Sequence, residues 1–261
     1  MREPFAEQKV VITGAAGVYG TELAHAFAAA GARVCLSDVR AGALAALVAT
    51  LGLPDDRVIA HALDLTDADA IHRFISLVSS AWGAPDVVVN NAGIYPFAGL
   101  LATDVSLWDR VMDTNLRAPF LLMQGFGRAM RDAGVRGAFI NVSSGSAENL
   151  RTNGVPYCVS KRGLEWLSQG FALDLARDGI RVNCVRPGFA TGSALVDWPP
   201  GYVDTMRAAN PMGRTAMPGD LAGAVMFLAS RASDYITGAC LPVDGGSSIP
   251  RRSGAATEAS R

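Results

Sequence analysis

Short apolar runs alternate along most of this chain with stretches whose apolar residues recur at helical spacing, and that alternation narrows the possible folds more than any other feature. Strands are predicted over 10–12, 33–37, 57–60, 86–90, 137–142, 181–185 and 240–243. Between them, Leu23, Ala24, Phe27 and Ala28 mark a first helix, and further helices are predicted over 43–51, 67–81, 106–131, 156–177 and 220–230. Strands and helices in strict alternation favour a parallel sheet with helices on both faces, a doubly wound α/β fold. Residues 192–217 break the periodicity and are rich in proline, which predicts a loop or lid with short helices.

Of the 261 residues, 1–249 are expected to form one domain, followed by a tail over 250–261 expected to be disordered. Hydrophobic residues make up 50% and charged residues 18%, enough apolar surface for one large core. With a net charge of -1 and no cluster of Lys and Arg, nucleic acid is not an expected partner. No apolar stretch is long enough to span a bilayer, and the first residues lack the apolar core of a signal peptide, so a cytoplasmic location without membrane contact is expected. Cys35, Cys158, Cys184 and Cys240 show neither CxxC nor His-linked spacing, so neither a metal site nor a disulfide framework is expected.

Three local patterns carry chemistry. Thr13-Gly14-Ala15-Ala16-Gly17-Val18-Tyr19-Gly20 lies between the first predicted strand and helix, where glycines permit a tight turn and the helix N-terminus favours an anion such as a pyrophosphate. Asp38, at the end of the second strand, stands about where an acidic residue hydrogen-bonds an adenosine ribose, and its charge would repel a 2′-phosphate. Arg40 follows two residues later as a potential phosphate ligand. Tyr157 and Lys161, four apart, share one face of a helix. There Lys161 is expected to lower the phenol from its ordinary value of about 10 and make Tyr157 a proton carrier.

Together with Asp64-Leu65, Asn90-Asn91-Ala92-Gly93, Thr114-Asn115-Leu116, Ser144, Pro187-Gly188, Ile236-Thr237-Gly238 and Val243-Asp244-Gly245-Gly246, these patterns resemble the short-chain dehydrogenase/reductase family, in its short single-domain branch. The resemblance runs from Lys9 to about Ser248. It implies a Rossmann-like doubly wound sheet of about seven parallel strands in the order 3-2-1-4-5-6-7. It also implies an oxidoreductase that moves a hydride between a nicotinamide cofactor and a secondary alcohol or ketone. Tyr157 would be the general acid or base, Ser144 would hold the substrate oxygen, and Lys161 would hold the nicotinamide ribose and tune Tyr157. Asn115 would interrupt its helix and place a water that links Lys161 to solvent. Gly14, Gly17, Val18, Tyr19, Asp38, Asp64, Leu65, Asn91, Ala92 and Gly93 would line the cofactor site, with Pro187, Gly188 and Thr191 presented to the nicotinamide amide. Asp38 and the uncharged Ala15-Ala16 pair favour NAD over NADP.

The sequence departs from the family pattern twice. Val18 stands where a second glycine is usual, giving TGxxGxxG, and Gly192 stands where a carboxamide-binding threonine is usual, leaving Thr191 or Ser193 to replace it. For the substrate, Glu148, Asn149, Arg151 and Asn153 suggest a sugar, sugar acid or polyol. Ala194, Leu195, Val196 and Trp198 instead suggest an apolar cyclic ketone, and a 3-oxoacyl thioester is a further alternative. Trp198 and Tyr202 are expected to face a ligand. A non-catalytic nucleotide-binding regulator of the same fold would have lost Ser144, Tyr157 or Lys161, and an epimerase or dehydratase would need an additional substrate domain. Leu164, Leu167, Phe171 and Leu175, widened by Trp166 and Leu173, give one helix a broad apolar stripe that predicts a homodimer or homotetramer.

Overall fold

β1 (Lys9–Thr13) is an unbroken apolar run because a central parallel strand is covered on both faces, and its last four residues are buried. In the computed structural model, which describes residues 5–192, 198–217 and 219–250, it is followed by α1 (Val18–Ala29), β2 (Arg33–Asp38), α2 (Ala41–Leu51) and β3 (Val58–Ala62). Next come α3 (Ala68–Trp82), β4 (Val87–Asn90), α4 (Val105–Met112), α5 (Ala118–Asp132), β5 (Ala138–Val142) and α6 (Val155–Leu175). The chain continues through β6 (Arg181–Pro187), α7 (Tyr202–Ala209), α8 (Ala222–Ala229) and β7 (Cys240–Val243). The expected tail beyond Pro250, and Ser193 to Val196 of the expected lid, lie outside the described residues.

All strand pairs are parallel, and the seven strands lie in the order β3-β2-β1-β4-β5-β6-β7. Alternate side chains of β1 feed two cores. Val10 and Ile12 pack with Leu23 and Phe27 of α1, Leu44 of α2 and Val225 of α8. Val11 packs on the other face with Phe74 of α3, Phe126 of α5 and Leu175 of α6. The strand order reverses direction between β1 and β4, so the loops leaving these two strands part and open a crevice at their C-terminal ends.

Two local features shape that crevice. Gly14 has φ +62°, and a Cβ there would lie 2.7 Å from Ala92 Cα, so the β1 and β4 loops touch through bare backbone. A Cβ on Gly20 would fall 2.1 Å from the Gly14 carbonyl oxygen, so α1 also needs a glycine to pass under the loop. The helix expected over 106–131 is divided. Between α4 and α5, residues Asp113–Arg117 form one wide π-helical turn around the fully buried Asn115. Three cysteines are buried and Cys240 is half-buried, all four as free thiols. Among the described residues there is no metal-type cluster, and no helix is long and apolar enough to cross a membrane.

Candidate active site

A cleft of about 1010 Å3 runs along the C-terminal ends of the strands, lined from Gly14 and Asp38 at one end to Trp198 and Tyr202 at the other. Its floor is braced by Asn91, whose Nδ2 donates to the carbonyl oxygens of Thr13 and Gly14 at 3.0 and 2.9 Å. The Asn91 and Ala92 amides in turn donate to Thr13 Oγ1, both at 3.2 Å. Tyr19, in the first turn of α1, donates its hydroxyl to the Gly188 carbonyl oxygen at 2.8 Å, tying the glycine loop to the β6 exit. Burial pushes that phenol well up, so it stays protonated and keeps the bond. Asp38 accepts the Ala16 amide at 3.1 Å and the Arg40 Nε at 3.1 Å. Arg40 is therefore paired with Asp38 rather than free in the cleft.

The middle of the cleft is built from one stripe of α6. Tyr157, Lys161 and Glu165 succeed one another at four-residue intervals and so face the ends of β5 and β6 together. Ser144 stands beside Tyr157 and caps the short turn at Gly145–Ala147 by accepting the Ser146 amide at 3.1 Å. Lys161 Nζ donates to the Val142 carbonyl oxygen at 2.8 Å and lies 5.8 Å from the Tyr157 ring centre. A Cβ on Gly93 would be 3.3 Å from both Lys161 Nζ and Asn115 Oδ1, so the bare Gly93 backbone leaves the ammonium its place beside the cleft. Asn115 donates to the Ile94 carbonyl oxygen at 2.8 Å and to Ser160 Oγ at 3.1 Å, and accepts the Ile94 amide at 2.9 Å.

Burial sets the protonation of this group. It pulls the Lys161 ammonium down to about 8. It also raises the Tyr157 phenol, against the opposing influence of the nearby Ser144 hydroxyl and the positive charge of Arg151. Beneath them, Glu165 receives Ser143 Oγ at 2.6 Å and Arg186 Nε and Nη2 at 2.7 and 2.8 Å. The far edge of the same guanidinium holds Glu148 at 2.6 Å. Burial raises the Glu165 carboxyl, but the Arg186 and Ser143 hydrogen bonds outweigh it and leave the group ionised below its ordinary value.

The end of the cleft beyond Tyr157 is aromatic. The Trp198 ring is stacked on Tyr202 at 5.3 Å between centroids and on Tyr95 at 6.1 Å, with Phe189 edge-on at 4.7 Å. Arg151 carries its guanidinium carbon 5.3 Å from the Tyr157 ring centre and 5.5 Å from that of Phe97.

A tyrosine beside a serine, with a lysine one turn on, at the strand ends of this sheet, meets close relatives in sequence and in shape. The sequence profile of a family described as enoyl-(acyl carrier protein) reductase matches residues 14–248. The chain is 38% identical, over 94% of its length and 98% of the relative's, to cis-4-hydroxycyclohexanecarboxylate dehydrogenase of Sinomonas cyclohexanicum. It is 35% identical to D-threitol dehydrogenase of Mycolicibacterium smegmatis, covering 92% of each. A crystal structure of a short-chain dehydrogenase from Leptospira borgpetersenii with bound NAD+ superposes with a TM-score of 0.83, at 27% identity and covering 95% of each chain. The chain belongs to the short-chain dehydrogenase/reductase family.

This short-chain dehydrogenase/reductase is an oxidoreductase acting on a CH–OH group, and its family binds a nicotinamide cofactor. Ser144, Tyr157 and Lys161 lie together, as the sequence resemblance implied, and Gly14, Gly17, Val18, Tyr19, Asp38, Asp64, Leu65, Asn91, Ala92, Gly93, Pro187 and Gly188 all line the cleft. Thr191 is exposed and lies just past the lining residue Ala190. Trp198, Tyr202 and Arg151 also line the cleft.

Two expectations need correction. The Tyr157 phenol is raised rather than lowered, because its burial outweighs the Ser144 hydroxyl and the positive charge of Arg151. Glu148 does not line the cleft, because Arg186 draws its carboxylate away. Sequence reasoning missed Tyr95 and Phe189, which sit in loops without periodicity, and Glu165 and Arg186, whose pairing is a tertiary contact between α6 and β6. A charged residue one further turn along the Tyr157–Lys161 stripe was the available signal for Glu165.

Proposed function

We propose that this enzyme moves a hydride between NAD(H) and a secondary alcohol or ketone, with Tyr157 as the proton carrier. The observation that carries the reading is the placement of Ser144, Tyr157 and Lys161 together in the strand-end cleft, with Lys161 one helical turn from Tyr157. The residues fit a dinucleotide. The cleft is at the upper end of the roughly 300–1,000 Å3 of ordinary small-molecule sites. The first turn of α1 has neither an acidic residue nor a side-chain cap, so its amides at Val18 and Tyr19 remain available to a pyrophosphate. Asp38 would hold the adenosine ribose, Asp64 and Leu65 would flank the adenine, and Asn91, Ala92 and Gly93 would form the floor. Pro187, Gly188 and Thr191 would meet the nicotinamide amide. A bound nicotinamide supplies the hydride donor or acceptor.

The chain's own groups divide the remaining work. Ser144 and Tyr157 bracket the substrate oxygen, and Ser144 steadies charge that develops on it. Tyr157, kept protonated by burial, donates its proton as a ketone is reduced and recovers it as an alcohol is oxidised. Lys161 presents its remaining N–H groups to a ribose beside Gly93, and Asn115 links Lys161 to solvent through a water. The preference for NAD is supported by the Asp38–Arg40 pair, which leaves a carboxylate rather than a free guanidinium facing the ribose.

Assembly into a homodimer or homotetramer is supported by Trp166 and Leu173, 66% and 83% exposed on α6. Free thiols at all four cysteines suit a reducing, cytoplasmic compartment. Titrating the protein with NADH and NADPH, then following NADH formation over a panel of secondary alcohols, tests the reading. Binding of NADH without binding of the 2′-phosphorylated form, followed by turnover, supports it; no binding of either refutes it. Sedimentation of the wild type against Trp166→Glu tests the assembly.

A further inference from the structure

We propose that the substrate is a hydroxylated ring that carries a carboxylate, with Arg151 as the residue that selects it. The inference rests on the dehydrogenase reading above and names what its substrate end recognises.

Arg151 is a cation placed for a ligand rather than for the fold. It makes no ion pair among the described residues, and its Nε is shut off from water with no hydrogen-bond partner. Leaving a guanidinium N–H in that state is costly unless an acceptor arrives. The guanidinium is instead steadied by two ring faces, those of Phe97 and of the proton carrier Tyr157. Any anion it binds therefore lies on the same small molecule as the reacting carbinol, a few bonds away. The acidic groups near the cleft are engaged elsewhere. Glu148 is held by Arg186, Asp38 by Arg40 and Ala16, Asp64 by the amide and hydroxyl of Thr66, and Asp244 by the amides of Gly246 and Ser248. None neutralises Arg151, so its charge is left to a carboxylate, which a guanidinium meets in a two-pronged geometry.

The neighbouring wall suits the rest of the molecule. Tyr95, Phe189, Trp198 and Tyr202 line the cleft, and Trp198 is fixed between two stacked tyrosines. Flat aromatic faces receive the C–H face of a saturated ring without demanding hydrogen bonds. A carbocyclic hydroxy acid and a sugar acid share this chemistry.

The test uses matched pairs and one inert probe. A hydroxycyclohexanecarboxylate is compared with its methyl ester, and a uronic acid with its parent neutral sugar, at saturating NAD. Calorimetric binding of cyclohexanecarboxylate is measured on the wild type, on Arg151→Met and on Arg151→Lys. The wild type is expected to bind the probe and to favour the acid of at least one pair by about 100-fold or more in kcat/KM. The carbocyclic and sugar pairs tell the two sources apart. Arg151→Met is expected to lose probe binding and to bring the acid and neutral partners to comparable rates, with Arg151→Lys in between. Failure of the wild type to bind the probe, or an acid preference that survives Arg151→Met, overturns the proposal. Loss of NADH binding or of all alcohol turnover would instead overturn the dehydrogenase reading, so the two failures are distinguishable.

Discussion

Arg186 holds Glu165 by two parallel hydrogen bonds, from Nε at 2.7 Å and Nη2 at 2.8 Å, directly beneath the strand end that carries Ser144. Because Ser143 donates to the same carboxylate and Glu148 holds the other side of the guanidinium, this pair fixes both ends of the turn that Ser144 opens. Removing one partner strands a buried charge, which costs about 3–5 kcal/mol. Arg186→Met is therefore expected to lower stability by that order in urea unfolding, while Glu165→Met combined with Arg186→Met recovers much of the loss. The folded carboxyl lies below its unfolded value of about 4.3, so the pair stabilises the fold above that pH and ceases to do so as pH falls through the folded value. Acid unfolding of the double variant should thus start at lower pH than that of the wild type, and coincident acid transitions would count against the pair.

Lys161 has the opposite consequence on the alkaline side. Its ammonium is held at about 8 in the fold and returns to about 10.4 in the unfolded chain. Between those values the unfolded chain binds the additional proton, so stability from this group rises with pH across the window and is lost as pH drops through 8. Without cofactor, the wild type should gain stability relative to Lys161→Met as pH is raised from 8 to about 10. Unfolding midpoints that run parallel for the two proteins would contradict the assignment.

Cofactor choice should turn on Asp38 because that carboxylate lines the end of the cleft where the ribose is proposed to sit and also occupies Arg40. In Asp38→Ser the repulsion toward a 2′-phosphate disappears and the guanidinium is released to bind it. The expected outcome is tighter NADPH binding by about tenfold or more, the size of one charge-assisted contact of roughly 1.5–3 kcal/mol, with weaker NADH binding. Unchanged NADPH affinity would mean that Asp38 does not discriminate.

The alternation of strands and helices was legible because periodicity and glycine punctuation are local, whereas the strand order, 3-2-1-4-5-6-7, came from the family resemblance. Val10 and Val11 belong to one apolar run whose burial on both faces marks a parallel strand, and Asp67 announces α3 by capping the Ala70 amide. The division of the helix at Asn115 was legible only through family resemblance, since nothing in its helical pattern marks a π-helical turn. Val18 stands where the family usually has a glycine. A Cβ on Gly17 would still be 3.2 Å from the Gly14 carbonyl oxygen, and the unavoidable close approaches fall on Gly14 and Gly20, both retained. What stayed hidden was tertiary. Helical spacing placed Tyr157 and Lys161 on one face, but not the Val142 carbonyl that takes the ammonium nor the burial that raises the phenol. Likewise Glu148 reads as a pocket residue until β6 brings Arg186 alongside it.

The central claim is that Tyr157 carries the proton while taking little part in holding the cofactor. The decisive measurement compares kcat and the NADH dissociation constant of Tyr157→Phe with those of the wild type on the same secondary alcohol. Loss of a positioned acid–base group predicts a fall in kcat of about 10^2–10^4-fold with NADH affinity unchanged. A variant that keeps the wild-type kcat, or one whose entire loss traces to weaker NADH binding, would contradict the account.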